Sequence, residues 1–498
     1  MPPVERPALA EIAAQEMRAA GLEPEFPAAA LAQAEATRNA TPAASAAHGD
    51  VGGVRVGDLR DLRSAPWFSI DNDDTLDLDQ LSWAQALPHG AVRLAVAVAD
   101  VDARVPQDSP VDAHAAANTT SVYTAAGVFP MLPPSLSNDL TSLHEGQERL
   151  AVVVEMTIDA SGAITASQLY RACVRNQAKL AYDSVSAWLD GQGPAPPAVA
   201  ASAGLATQLR LHDGVAQALR LWRHRRGALN VATAQARPVF VDGQLVDLRA
   251  DRKNRAKDLI ADLMIATNGV AARFLAERHL PSLRRVLQEP SRWDRLQKLA
   301  ERLGIALPPT PDAPALDRFL LGERARDPAG FESLSLSVVK LLGSGAYAAA
   351  GPDAAAAGHF GLAVNDYAHS TAPNRRYVDL VTQRLIKASL AGAPMPYTLG
   401  ALNAIAAHCT TQEDQASTVE RRVLKAAAAQ LLQGRIGEVF EATVTGAPPK
   451  GIFVRIDSPM VEGRVVGGYE GLDVGDALRV RLRSVDFERR YIDFERVE

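Results

Sequence analysis

Two kinds of hydrophobic pattern alternate along the chain. Runs such as VRLAVAVADV (92–101) and LAVVVEMTI (150–158) are short and alternating, as expected of strands. The stretch 255–277 repeats its apolar positions at helical spacing. The same spacing appears at the start, where Leu9, Ile12, Ala13 and Met17 precede a break at Gly21 and a second helical stretch follows Pro27. This helical segment, residues 1–55, suits either an arm packed on the main domain or a helix-turn-helix-like module. Residues 56–432 read as one large mixed α/β domain. Within it, 341–361 is dominated by small residues and is expected to be a connection, and 412–432 is helical and Ala-rich.

After Gly434 the texture changes. GEVFEATVTGA, GIFVRID, VEGRVVG, DALRVRLRSVD and RRYIDFERV are five short strand-like runs divided by turn residues, the pattern of an OB-type barrel over 433–498. Its spacing resembles the RNA-binding barrel repeated in the largest protein of the small ribosomal subunit. By strand parity Ile452 and Val454 share one face, which puts Phe453 on the other, the expected binding face. The fold class is therefore α+β and multidomain.

Composition narrows the function without naming it. The chain has 498 residues, of which 47% are hydrophobic and 22% charged, so collagen-like, coiled-coil and wholly disordered architectures are excluded. Cys173 and Cys409 stand far apart outside any zinc-ligand spacing, which fits a reducing, cytoplasmic location. The first twenty residues lack the features of a signal peptide, and the longest uncharged stretch, 115–138, is broken by Pro130, Pro133 and Pro134, so no membrane association is expected. A net charge of −6 argues against indiscriminate coating of nucleic acid but allows a local basic channel. Arg220, Arg223, Arg225, Arg226 and Arg252, Lys253, Arg255, Lys257 are candidates to line one.

The densest chemistry is IDNDDTLDLDQ (70–80), with five aspartates in eleven residues. Their repulsion calls for a cation. Carboxylate oxygens suit Mg²⁺ or Mn²⁺, and on extended chain Asp77 and Asp79 point to one side, free to share a site with Asp71. A calcium loop starting at Asp71 fails, because its sixth and twelfth positions are Leu76 and Ser82. From these residues alone a solvated acidic turn or a metal-dependent transferase stays open.

Ile70-Asp71, five residues, Asp77-x-Asp79, then VAVADVDARV, resembles the active-site signature of the ribonuclease II family, the RNB-domain exoribonucleases. VYTAAGVFPMLPPSLSNDLTSL (122–143), AKLAYDSVSAWL (178–189), LMIATN (263–268), HFGLAVNDYAHSTAPNRRYVDLVTQRLI (359–386) and the terminal barrel follow in the family's order. The resemblance implies processive 3′-to-5′ hydrolysis of single-stranded RNA to nucleoside 5′-monophosphates by a monomer. It makes Asp71, Asp77 and Asp79 ligands of Mg²⁺, with Gln80 at the place of a fourth aspartate and able to offer only an amide oxygen. It makes Arg375 the clamp on the scissile phosphate, Tyr123 the residue that stacks on terminal bases, and Tyr182, with Asp262 covering part of a glutamate's role, the sensor of the ribose 2′-hydroxyl. Glu420 matches an acidic residue near the site. The family's second clamping aromatic aligns near Val231, which weakens the expected hold on the final product. Some 70 residues precede Asp71, too few for the two barrels that precede the cluster in the family, so substrate entry is expected to differ. The alternative is a catalytically weak or inactive RNA-binding relative.

Overall fold

In the computed structural model the described residues are 6–39, 50–51, 54–55, 59–232, 234–328, 330–352, 358–364, 366–446, 451–472, 474–486 and 489–497. The centre is a seven-stranded sheet in the order Ala178–Ala181, Phe68–Asp71, Gln80–Ala86, Val92–Ala99, Glu148–Ile158, Ile164–Arg175, Arg60–Asp61. The five inner strands, Phe68–Asp71 through Ile164–Arg175, pair antiparallel, and both edge strands join in parallel. Val92–Ala99 is buried along its whole length but for Arg93, which explains its nearly unbroken apolar sequence. Trp67 and Phe68 are fully enclosed at the start of the strand that ends in Asp71, each contributing about 2–3 kcal/mol from burial.

Helices cover the sheet. Ala203–His224 and Arg255–Ala276 pack together, and Tyr377–Ala391 lies against the second of them. Arg255–Ala276 has the length and apolarity of a membrane span, with 67% of its most apolar window buried inside the fold. The small-residue segment does more than connect: Ala346–Ala350 pairs antiparallel with Ser282–Val286, its alanines letting the two backbones lie close under the long helix Leu399–Leu432. Trp293–Arg302, Ala313–Arg326 and Phe331–Leu342 form a small helical body around Trp293, Leu296, Phe319 and Phe331.

The C-terminal strands Val439–Gly446, Ile452–Asp457, Met460–Val465, Tyr491–Val497 and Ala477–Asp486 close into a barrel in that order, within one or two residues of the sequence reading. Ile452, Val454 and Ile456 point inward, while Phe453 lies half-buried on the outer side, across from Arg464. Gly463 is required inside: a Cβ there would sit 2.5 Å from the ring of Phe494.

The N-terminal helices seat on different surfaces. Arg6–Ala19 buries Leu9, Ala13 and Met17 against the long helix and the barrel, and its buried Glu16 accepts from Arg422 at 2.9 Å and pairs with Arg490. Ala28–Asn39 buries Ala30 and Ala34 against Pro110–Asn118, where Gln33 bonds the Val111 amide and the Ser109 hydroxyl.

Candidate active site

The sheet brings the acidic segment to one edge of its strand ends. Asp71 closes the Phe68–Asp71 strand, residues 72–79 form an irregular loop, and Gln80 opens the next strand. Asp77 and Asp79 thus do not share a strand face as extended chain would give; the loop buries Asp79 almost completely and leaves Asp77 half-buried. Asp73 and Asp74 stay exposed on the turn, with Asp74 3.6 Å from Arg237. Asp71 accepts from the Thr75 hydroxyl at 2.9 Å.

A second segment, 371–376, meets the cluster from the far side of the sequence. The Asn374 N–H donates to Asp79 Oδ1 at 3.0 Å, and Arg375 Nε stands 3.7 Å from Asp79 Oδ2. Arg375 is 41% exposed while Asp79 is 3% exposed, so the guanidinium links a buried carboxyl group to open space. Gln80, assigned an amide-oxygen ligand role from sequence, turns its amide nitrogen to the Thr371 carbonyl of this same segment. Asn374 and its partner Thr141, whose hydroxyl donates to Asn374 Oδ1 at 2.6 Å, were not picked out from sequence. Their contacts join positions 295 and 233 residues apart, which no local pattern signals.

Electrostatics couple the aspartates. Burial pushes the Asp79 carboxyl up to about 8, with Arg375 opposing and Asp77 adding to the rise. Burial also raises Asp77, against the pull of Arg375 and a hydrogen bond from the Tyr123 hydroxyl, and Asp71 raises it further. Carboxylates that resist ionising together are the groups a divalent cation relieves, and their hard oxygens suit Mg²⁺ or Mn²⁺, which complete their shells with water and phosphate. Among the described residues no group of three or more His, Cys, Asp or Glu side chains is arranged to hold a metal ion. What fits such a cation is the donor type, the carboxylate oxygens of the coupled Asp71, Asp77 and Asp79.

Tyr123 lies in the Val122–Thr124 strand of a short hairpin, 44% exposed, with its hydroxyl at Asp77 and its backbone N–H donating to Glu420 Oε1 at 2.9 Å. Burial raises Glu420. Tyr182 begins the helix after Ala181, the residue paired with Asp71, and feels the charges of Asp71 and Arg375. Asp71, Asp77, Asp79, Arg375, Tyr123, Tyr182 and Glu420 therefore belong to one neighbourhood.

Asp262 does not join it. The carboxylate is buried between two helices, where Arg223 takes one oxygen and Arg220 the other at 2.8 Å, and its charged neighbours are Arg220, Arg223 and Asp258. The expected basic track is largely spent in the same way: Arg255 pairs with Asp190 and Asp213, Lys257 with Asp251, and Arg252 with Glu332. Phe453 is a feature of the barrel wall, apart from the aspartates in sequence and sheet.

Comparison with known proteins bears on the domains and the fold. Residues 59–392 match the RNB domain, and residues 438–497 match the RNase II-type exonuclease C-terminal S1 domain. Ribonuclease R of Escherichia coli (strain K12) is 29% identical over 469 residues, covering 87% of this chain and 57% of the relative. Ribonuclease R of Thermotoga maritima is 31% identical over 479 residues, covering 89% of this chain and 66% of the relative. The chain thus spans somewhat over half the length of such relatives. Mycoplasma genitalium RNase R, solved in complex with ribose methylated single-stranded RNA, superposes with a TM-score of 0.85 at 23% identity, covering 97% of this chain and 77% of that one. Yeast Ssd1, described as a pseudonuclease, superposes at 0.65 with 20% identity over 82% of this chain and 50% of that one, so the fold by itself does not establish catalysis. The matched domains, in this order and over most of the length, make this chain a member of the RNB family with an RNase II-type C-terminal S1 barrel.

Proposed function

We propose that the chain is a 3′-to-5′ exoribonuclease that hydrolyses single-stranded RNA processively to nucleoside 5′-monophosphates, with Asp71, Asp77 and Asp79 holding Mg²⁺, or Mn²⁺ in its place. The observation that carries this reading is the junction of buried Asp79 with Arg375 at 3.7 Å, beside Asp77 and the Tyr123 hydroxyl. The relatives are ribonucleases by name, and a structural neighbour holds single-stranded RNA.

Asp71, Asp77 and Asp79 would hold the cation, which would supply Lewis acidity toward water and positive charge beside the departing 3′ oxygen. The protein's part is positioning. Asp79, fixed by the Asn374 N–H, presents one carboxylate edge to the site. The Arg375 fork bonds two oxygens of the scissile phosphate as charge builds on them, and its proximity to Asp79 holds it there before substrate arrives. The exposed ring of Tyr123 stacks on the 3′-terminal base, a contact open to any sequence, and Tyr182 reads the ribose 2′-hydroxyl. The barrel, through Phe453 and its neighbouring arginines, holds the incoming strand.

The test is incubation of 5′-labelled single-stranded RNA with Mg²⁺, then with EDTA. A ladder shrinking from the 3′ end that EDTA stops supports the reading. RNA bound but never shortened supports a non-catalytic member of the family.

A further inference from the structure

Gln80 directly follows Asp79 and opens the Gln80–Ala86 strand where the 72–79 loop ends. Asp79 enters the carboxylate cluster, while the Gln80 amide nitrogen donates to the carbonyl of Thr371. Thr371 starts the segment that carries Arg375, and four further hydrogen bonds fix its other end. The Asn374 N–H bonds Asp79 Oδ1, and Asn374 Oδ1 accepts from Thr141. The Arg375 carbonyl accepts the Ser121 N–H at 3.0 Å and the Thr120 hydroxyl at 3.2 Å, tying the segment to the strand of Tyr123. Asn374 is buried with its Nδ2 unpartnered, so its hold on Asp79 rests on the backbone N–H alone.

The choice of residue at position 80 matters because the partner is a carbonyl oxygen. An amide has hydrogens to give; an ionised carboxylate has none and repels that oxygen. We infer that Gln80 is a positioning residue, the strut that locks the 371–376 segment onto the aspartate strand and keeps the Arg375 guanidinium at Asp79, and that it acts through Arg375 and not as a ligand of the cation. This rests on the exonuclease reading above.

A double-mutant cycle tests it with Gln80→Met, Arg375→Ala and the pair, and with Gln80→Glu as a second variant of unchanged size should the methionine protein fail to fold. Turnover of 5′-labelled RNA, direct Mn²⁺ binding by calorimetry, and amide exchange across 371–376 are measured. Gln80→Met is expected to lower kcat about 10–100-fold with KM nearly unchanged, the scale of a slight misplacement of a catalytic group. In the Arg375→Ala background the same change is expected to cost less than about 3-fold, because coupled residues are not additive. Mn²⁺ affinity stays within about 2-fold, and exchange across 371–376 quickens about 10-fold. Fully additive losses, unchanged exchange, or Mn²⁺ binding weakened beyond about 5-fold would overturn the strut. A wild-type chain that never shortens RNA would refute the exonuclease reading alone, and the exchange and Mn²⁺ measurements would still decide the role of Gln80.

Discussion

The half-buried carboxylate of Glu420, on the long helix, accepts the backbone N–H of Tyr123 at 2.9 Å across 297 positions of sequence. The hairpin that carries the Tyr123 ring is otherwise short, three residues on each side, so this contact sets where the ring stands. Glu420→Ala is expected to raise KM several-fold and to broaden the length distribution of final products on a sequencing gel, since a stacking contact is worth about 1–3 kcal/mol per base. Glu420→Gln keeps an acceptor oxygen and is expected to retain most of the normal pattern. Normal product lengths from the alanine variant would show that the hairpin holds itself.

Arg375 is asked to do what a planar fork does and an ammonium does not. Arg375→Ala is expected to reduce kcat about 10²–10³-fold, and Arg375→Lys to recover little of it, because lysine offers a point charge without two parallel donors. Single-turnover rates at saturating RNA measure this. Near-complete recovery by lysine would reduce the role to simple charge.

Metal-free protein should register the strain of Asp79 in its pH dependence. The folded-state value of about 8 lies above the unfolded value of 3.8, so the folded form holds this proton more tightly. Stability from this group is complete below about pH 4, falls as pH rises through the interval, and is at its lowest above about pH 8. Asp79→Asn removes the titration while keeping an acceptor for the Asn374 N–H. In EDTA the variant is therefore expected to be more stable than wild type at pH 8, by roughly 1–3 kcal/mol, with the difference vanishing toward pH 4. Equilibrium urea unfolding at several pH values checks this; a variant less stable at pH 8 contradicts the burial argument.

Asp262 is expected to matter for stability, not for sugar recognition. Removing it leaves Arg223, only 11% exposed, without its partner, so Asp262→Ala should cost about 3–5 kcal/mol. The ratio of cleavage rates on RNA and on the matching DNA should not change. A changed ratio with intact stability would return the residue to the substrate.

What the sequence made legible follows from how local each signal was. The barrel strands, the helix Arg255–Ala276 and the buried strand Val92–Ala99 are written in periodicity and turn residues, and the structure has them close to where the pattern put them. The aspartate cluster was visible as charge density. Its geometry was not, because residues 72–79 fold as a loop in which parity has no meaning and burial separates Asp79 from Asp73 and Asp74. Asp262 and the arginine clusters show the same limit: the charges are plain in the sequence, but their partners Arg220, Asp213, Asp190 and Glu332 arrive from other elements. The strand Ala346–Ala350 was hidden by its own composition, since alanine carries no strand preference and only pairing with Ser282–Val286 defines it.

The central claim is that a buried Asp79, in company with Asp71, Asp77 and Arg375, makes this fold a metal-dependent nuclease. It is tested most directly by comparing wild type and Asp79→Asn on one 5′-labelled single-stranded RNA, in Mg²⁺ and in EDTA, with RNA binding measured in parallel. The account predicts 3′-end shortening by wild type in Mg²⁺ only, and a variant that binds RNA with similar affinity yet leaves it intact. Equal shortening by the variant, or shortening by wild type that persists in EDTA, would contradict it.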